Sequence, residues 1–139
     1  MIDVDIARRL RDLGLPWHPA DGDHFAIDVP DLRDQTFMLS AMVIERGLGR
    51  HGEFIFKFNG TTEWALDSIE QNEAIWIPRE DQLREALGGT FLALRNAGTA
   101  HIVDVIVDGK ARGIRAPSAE DAYAGALLVL LESGQEQAS

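Results

Sequence analysis

Apolar positions along this chain switch between two periods, and the switches mark its elements. Ile6, Leu10 and Leu13 recur at helical spacing behind Asp3, a good N-cap, and Gly14 supplies a stop. Leu15-Pro16-Trp17-His18-Pro19 then breaks regular structure into a rigid connector, with Trp17 expected to fold back over the first helix. From His24 to Phe58 the period shortens to two. Phe25 and Ile27 alternate with Ala26 and Asp28 until Pro30-Asp31 closes a short strand. Phe37 to Arg46 reads as a second strand ended by Gly47, and Phe54, Phe56 and Phe58 share one face of a third. Thr62 to Ile69 stays open. Trp64 and Leu66 alternate as in a strand, the preferred reading, whereas Thr61 or Thr62 could cap a short helix.

Ala74 to Ile77 is a short apolar strand ended by Pro78. Arg79 to Leu87 comes next as a helix, with Glu80 and Asp81 in its first turn and Gly88-Gly89 as terminator. A three-stranded meander comes after it. Phe91 to Arg95 leads into Asn96-Ala97-Gly98, and His101 to Val107 carries Val103, Val105 and Val107 on one face. Asp108-Gly109 is a two-residue hairpin signal, and Lys110 to Arg115 returns with the charges of an edge strand. Ser118 caps a last helix whose body runs Ala122 to Glu132, apolar nearly all round and ended by Gly134. The sum is an α+β fold: an antiparallel sheet with N-terminal, middle and C-terminal helices packed mainly on one face. One domain over 1–134 is expected, with 135–139 as a disordered tail.

Composition narrows the partners. At 139 residues and 45% hydrophobic content the chain has material for one core and little for a second. Cysteine is absent, which excludes disulfides, thiolate nucleophiles and cysteine-held zinc. The longest apolar run, Ala122 to Leu131, falls well short of the roughly 20 residues that span a bilayer. Met1-Ile2-Asp3-Val4-Asp5 carries no basic n-region, so the expectation is cytoplasmic and off the membrane. A formal net charge of −10 repels phosphate backbones and argues against nucleic acid. Arg8, Arg9 and Arg11 on the first helix read as a solvated face.

Candidate chemistry is sparse. Gly47-Leu48-Gly49-Arg50-His51-Gly52 has the glycine spacing of a dinucleotide fingerprint, but that motif needs a helix after it and here a strand comes next. It reads as a bend between two antiparallel neighbours. His18, Asp21, Asp23 and His24 could supply nitrogen and oxygen ligands to a metal if the loop turned them inward. Arg79-Glu80-Asp81-Gln82-Leu83-Arg84-Glu85 resembles the Arg-Glu helix of pyrophosphate hydrolases, yet the paired glutamates that hold magnesium there are missing. Glu63, Trp64, Asp67 and Arg79 are the candidate binding residues, since a tryptophan beside acids suits a basic partner or a cationic ligand. No catalytic residue, metal site or cofactor is assigned.

The stretch Asn59 to Leu87, with Thr61-Thr62-Glu63-Trp64-Ala65-Leu66-Asp67-Ser68 and Trp76-Ile77-Pro78-Arg79-Glu80-Asp81-Gln82-Leu83-Arg84, resembles a family of small uncharacterised actinobacterial proteins. The Leu15-Pro16-Trp17 connector and Asp121-Ala122-Tyr123-Ala124 fit the same pattern. Members sometimes carry a pilus-assembly label taken from a much larger ATPase. This chain has neither that protein's receiver domain nor a phosphate-binding loop, so its activity does not carry over. The resemblance implies a cytoplasmic stand-alone domain and brings no catalytic residues. The expectation is a small non-enzymatic binding or accessory protein with a protein partner or self-association. The alternative is a small metal-assisted hydrolase using the His18–His24 loop.

Overall fold

A computed structural model of the chain describes residues 1–30, 32, 34–39, 44–48, 54–58, 68–70 and 73–138. In chain order its elements are α1 (Val4–Asp12), β1 (His24–Ile27), β2 (Thr36–Met38), β3 (Ile44–Leu48), β4 (Phe54–Phe58), β5 (Ser68–Glu70), β6 (Ala74–Ile77), α2 (Glu80–Leu87), β7 (Phe91–Ala97), β8 (Ala100–Val107), β9 (Lys110–Ala116) and α3 (Ala119–Ala138). This is an α+β fold in which, among the described residues, every strand pairing is antiparallel. The strands form three-stranded sheets of order β2-β1-β6, β3-β4-β5 and β7-β8-β9. Two compact units result, one from 1–16 with 78–139 and the other from 17–77.

In the first unit, local chemistry places the helix ends where the residues demand them. The Asp3 carboxylate accepts from the Asp5 backbone N–H at 3.2 Å, answering one of the donors that a helix start leaves open. At the other end Leu15 N donates to Leu10 O at 3.0 Å and Gly14 N to Arg11 O at 2.9 Å, with Gly14 at φ +100°. That is a Schellman stop, and a left-handed residue there favours glycine. The Ser118 hydroxyl accepts from Asp121 N at 3.1 Å and starts α3. Asp108 and Gly109 both adopt positive φ, 52° and 77°, as the tight turn between β8 and β9 requires.

The meander packs through one face. Val103, Val105 and Val107 are buried, whereas Ile102, Asp104 and Ile106 between them are only half-buried. α3 lies on β8 and β9, with α1 and α2 packed against α3. Leu10, Leu83, Leu87, Ala122, Tyr123, Ala126 and Leu127 are buried there. Each large aliphatic group contributes about 1.5–3 kcal/mol on leaving water. The closest approach is at Gly125, where an added Cβ would stand 2.9 Å from Ile114 Cγ2. Away from α3, Arg95 grips Asp104 in a fork, Nε to Oδ2 at 2.6 Å and Nη2 to Oδ1 at 2.9 Å. Those hydrogen bonds, more than the charge itself, hold the Asp104 carboxyl below its ordinary range.

α3 does not stop at Gly134 but continues to Ala138. Gly134 has an ordinary helical φ and no neighbour within 4 Å of a Cβ position. The turn before it is tied down on two sides: Arg9 donates to Glu132 at 2.9 Å and Ser133 Oγ to Asp108 Oδ1 at 2.8 Å. A glycine weakens a helix by about 1 kcal/mol and ends it only where the chain then turns left-handed.

In the second unit β1 is the central strand, with Phe25 opposite Phe37 on β2 and Trp76 on β6. Phe25, Ile27, Leu39 and Ala74 form its buried cluster, with Trp17, Val29, Leu32 and Phe37 packed on it. Within this unit the Trp17 ring meets Phe25, at 6.0 Å between centroids, and Trp76, at 6.4 Å and nearly parallel. The run read as one strand over 37–46 divides into β2 and β3, which pair with different strands. β3 and β4 pair antiparallel from Ile44↔Phe58 to Leu48↔Phe54; among the described residues β4 is the next element, and Gly49 to Gly52 lie outside them.

The two α3 glycines separate packing from propensity. Gly134→Ala should raise stability by about 0.5–1 kcal/mol, because it only removes backbone freedom from the unfolded chain. Gly125→Ala makes the same local gain but drives a methyl into Ile114, at about 1–3 kcal/mol. Its net effect should be a loss of roughly 1 kcal/mol. Urea unfolding of both variants checks this, and equal stabilisation by both would contradict the close packing of α3 on β9.

Candidate functional site

The histidine–aspartate loop has a structural job. Asp23 is buried, and its Oδ2 accepts from the Trp17 indole Nε1 at 2.9 Å and from Ala20 N at 3.0 Å. Leu39 N donates to Asp23 O and Gly22 N to Leu39 O, each at 2.8 Å, with Gly22 at φ +89°. One carboxylate thus clamps the connector and fixes the Trp17 ring over the aromatic cluster. His18 and Asp21 are exposed, while His24 is half-buried on β1. Among the described residues no group of three His, Asp or Glu side chains is placed to hold a metal ion. Two buried polar atoms of this unit, His24 Nδ1 and Trp76 Nε1, have no hydrogen-bond partner among the described residues.

Of the binding residues read from the sequence, Glu63, Trp64 and Asp67 lie outside the described residues, as do Gly49 to Gly52. Arg79 stands at the N-cap of α2. Its backbone N–H donates to Gln82 Oε1 at 2.9 Å and its Nε to Asp81 Oδ1 at 3.3 Å, which secures the start of the helix.

That helix borders the more informative feature. A cleft of about 700 Å³ lies against α2 and α3, lined by Glu80, Asp81, Arg84, Glu85, Gly88 and Tyr123. Its size is that of a small-molecule site. Positions 80, 84, 85 and 88 succeed one another at helical and near-helical spacing, so a single side of α2 faces the cleft. Tyr123 comes from the buried side of α3. Its ring sits 5.8 Å from that of Phe91, and the Arg84 guanidinium lies over the same phenylalanine, 4.6 Å from its centroid.

Tyr123 is 4% exposed, and its hydroxyl forms no hydrogen bond among the described residues. Burial pushes the phenol above its ordinary pKa, the Glu80 carboxylate pushes it the same way, and the Arg84 charge pulls it back. Tyr123 is itself one of the residues lining the cleft. It also stays protonated at neutral pH, able both to donate and to accept. Around it, Glu80, Arg84 and Glu85 make no ion pair among the described residues.

Comparison of the chain with protein-family models, curated protein sequences and solved structures finds no match to any of them.

Sequence reasoning passed over Tyr123 as one more apolar residue of the last helix. The usable signal was chemical: within the apolar run Ala122 to Leu131 it is the one side chain with a polar atom, and such an atom needs a partner.

The loop and the cleft each make a measurable claim. Asp23→Ala should cost about 1–3 kcal/mol in urea unfolding, because two part-buried donors lose their acceptor, and should shift Trp17 emission to the red. A loss below about 0.5 kcal/mol would show that the loop is held by other means. Tyr123 is the sole tyrosine, so phenolate absorbance reports it alone. Its midpoint should lie above the ordinary value of about 10 and return there in denaturant. Because the folded value is the higher one, the associated stability is complete below about pH 10 and is lost as pH rises through the folded value. Glu80→Gln should lower the midpoint and Arg84→Gln should raise it; no response to either would place the hydroxyl away from the cleft.

Proposed function

We propose that this chain is a small non-enzymatic binding or accessory protein that takes its ligand in the cleft beside α2 and α3. The observation that carries the reading is the hydroxyl of the buried Tyr123, unpaired among the described residues at the wall of an open, charged concavity. The lining favours recognition over reaction. Its carboxylates, Glu80, Asp81 and Glu85, are exposed to water, whereas acid–base catalysis relies on carboxylates whose pKa is shifted by burial. Described lining residues include no histidine, serine or threonine that would act as base or nucleophile. No helix of the described residues is long and apolar enough to cross a membrane.

Amide-resolved NMR titration of the whole chain tests this. A fragment set of cationic, neutral and anionic compounds at millimolar concentration should shift resonances at Glu80–Gly88 and Ala122–Ala124 first. Shifts confined to other regions, or none with any fragment, would defeat the reading.

A further inference from the structure

We propose that the group seated in this cleft is an organic cation, an alkylammonium or guanidinium, supplied by a free polyamine or by a lysine or arginine side chain of a peptide. The inference rests on the reading of the cleft as a binding site and adds the chemistry of what it binds. Among the described residues three carboxylates line it against one guanidinium, so that lining carries an excess of negative charge. That guanidinium is drawn aside, because Arg84 lies 4.6 Å over the Phe91 ring. Asp81 is partly answered by the Arg79 Nε at 3.3 Å. Glu80 and Glu85 have no ion-pair partner among the described residues and are separated by about 7.5 Å along the α2 axis. Their separation suits a flexible cationic chain passing between them.

The phenol decides between kinds of cation. An N–H of an ammonium or guanidinium donates to the Tyr123 oxygen while its charge faces the carboxylates, and the tyrosine O–H remains free to donate to Glu80 or to the ligand. A bare divalent ion would instead need several oxygens converging at coordination distance. No such group of three acids exists among the described residues. An anion could use Arg84 and the phenol, but it would have to enter past Glu80, Asp81 and Glu85.

Titration of the whole chain with spermidine, with a short lysine-containing peptide, with the same peptide acetylated on lysine, and with glutarate tests the assignment. Expected are shifts at Glu80–Gly88 from spermidine, the lysine peptide or both, weakened by added salt, with little response to the acetylated peptide or glutarate. A response to the peptide alone assigns a protein partner as the source, and a response to spermidine alone assigns a free polyamine. The surface double substitution Glu80→Gln with Glu85→Gln should weaken binding at least ten-fold, and Tyr123→Phe about three- to ten-fold. Arg84→Gln removes the competing charge and should tighten binding about three-fold. Equal binding of the acetylated peptide, or affinity untouched by the double substitution, overturns the proposal. Glutarate or neutral fragments shifting the cleft where cations do not would sink the cationic assignment and leave the binding reading standing. No response to any probe sinks both.

Discussion

The contact between α3 and the β8–β9 hairpin governs the first unit. At Gly125 the helix comes so near Ile114 that a side chain there would have no room, and this closeness brings Ala122, Tyr123, Ala126 and Leu127 onto the buried face. α1 and α2 then pack against α3 instead of making a layer of their own. Tyr123 owes its position to that arrangement. One side of its ring is committed to Phe91, and its hydroxyl emerges where α2 presents Glu80, Arg84 and Glu85.

The second unit depends on a different device. There a single buried carboxylate, Asp23, gathers an indole N–H and a backbone N–H and so anchors the connector beside β1. Removal of such an acceptor leaves its donors stranded, which is why a buried aspartate with full partners reads as architecture before it reads as chemistry. The same loop carries the histidines that looked like metal ligands, and their exposures diverge: His18 faces water while His24 is half-buried.

Much of the local structure was legible because its causes are local. Asp3, Ser118, the Schellman stop at Gly14 and the Asp108-Gly109 turn each act within about one helical turn or one hairpin, and the structure places all of them as the residues require. The glycine-rich reading at 47–52 rests largely on positions outside the described residues, of which the structure gives only the antiparallel strands on either side. Gly134 misled because glycine ends a helix only when the chain turns left-handed after it; tethers from Arg9 and Asp108 keep α3 running. The run at 37–46 misled because hydrophobicity records burial and not which strand lies alongside.

By itself the sequence determined the α+β class, the helix starts, the tight turns and the antiparallel meander, since period, caps and turn residues act over a few positions. Only the tertiary structure decided that Trp17 stacks on Trp76, that Asp23 is a clamp, and that Tyr123 opens toward three carboxylates of α2. The tryptophan stack and the cleft join residues about 40–60 positions apart along the chain. Packing selects such neighbours by shape and by unsatisfied polar atoms, and neither property is written in the spacing of residues along one strand or helix.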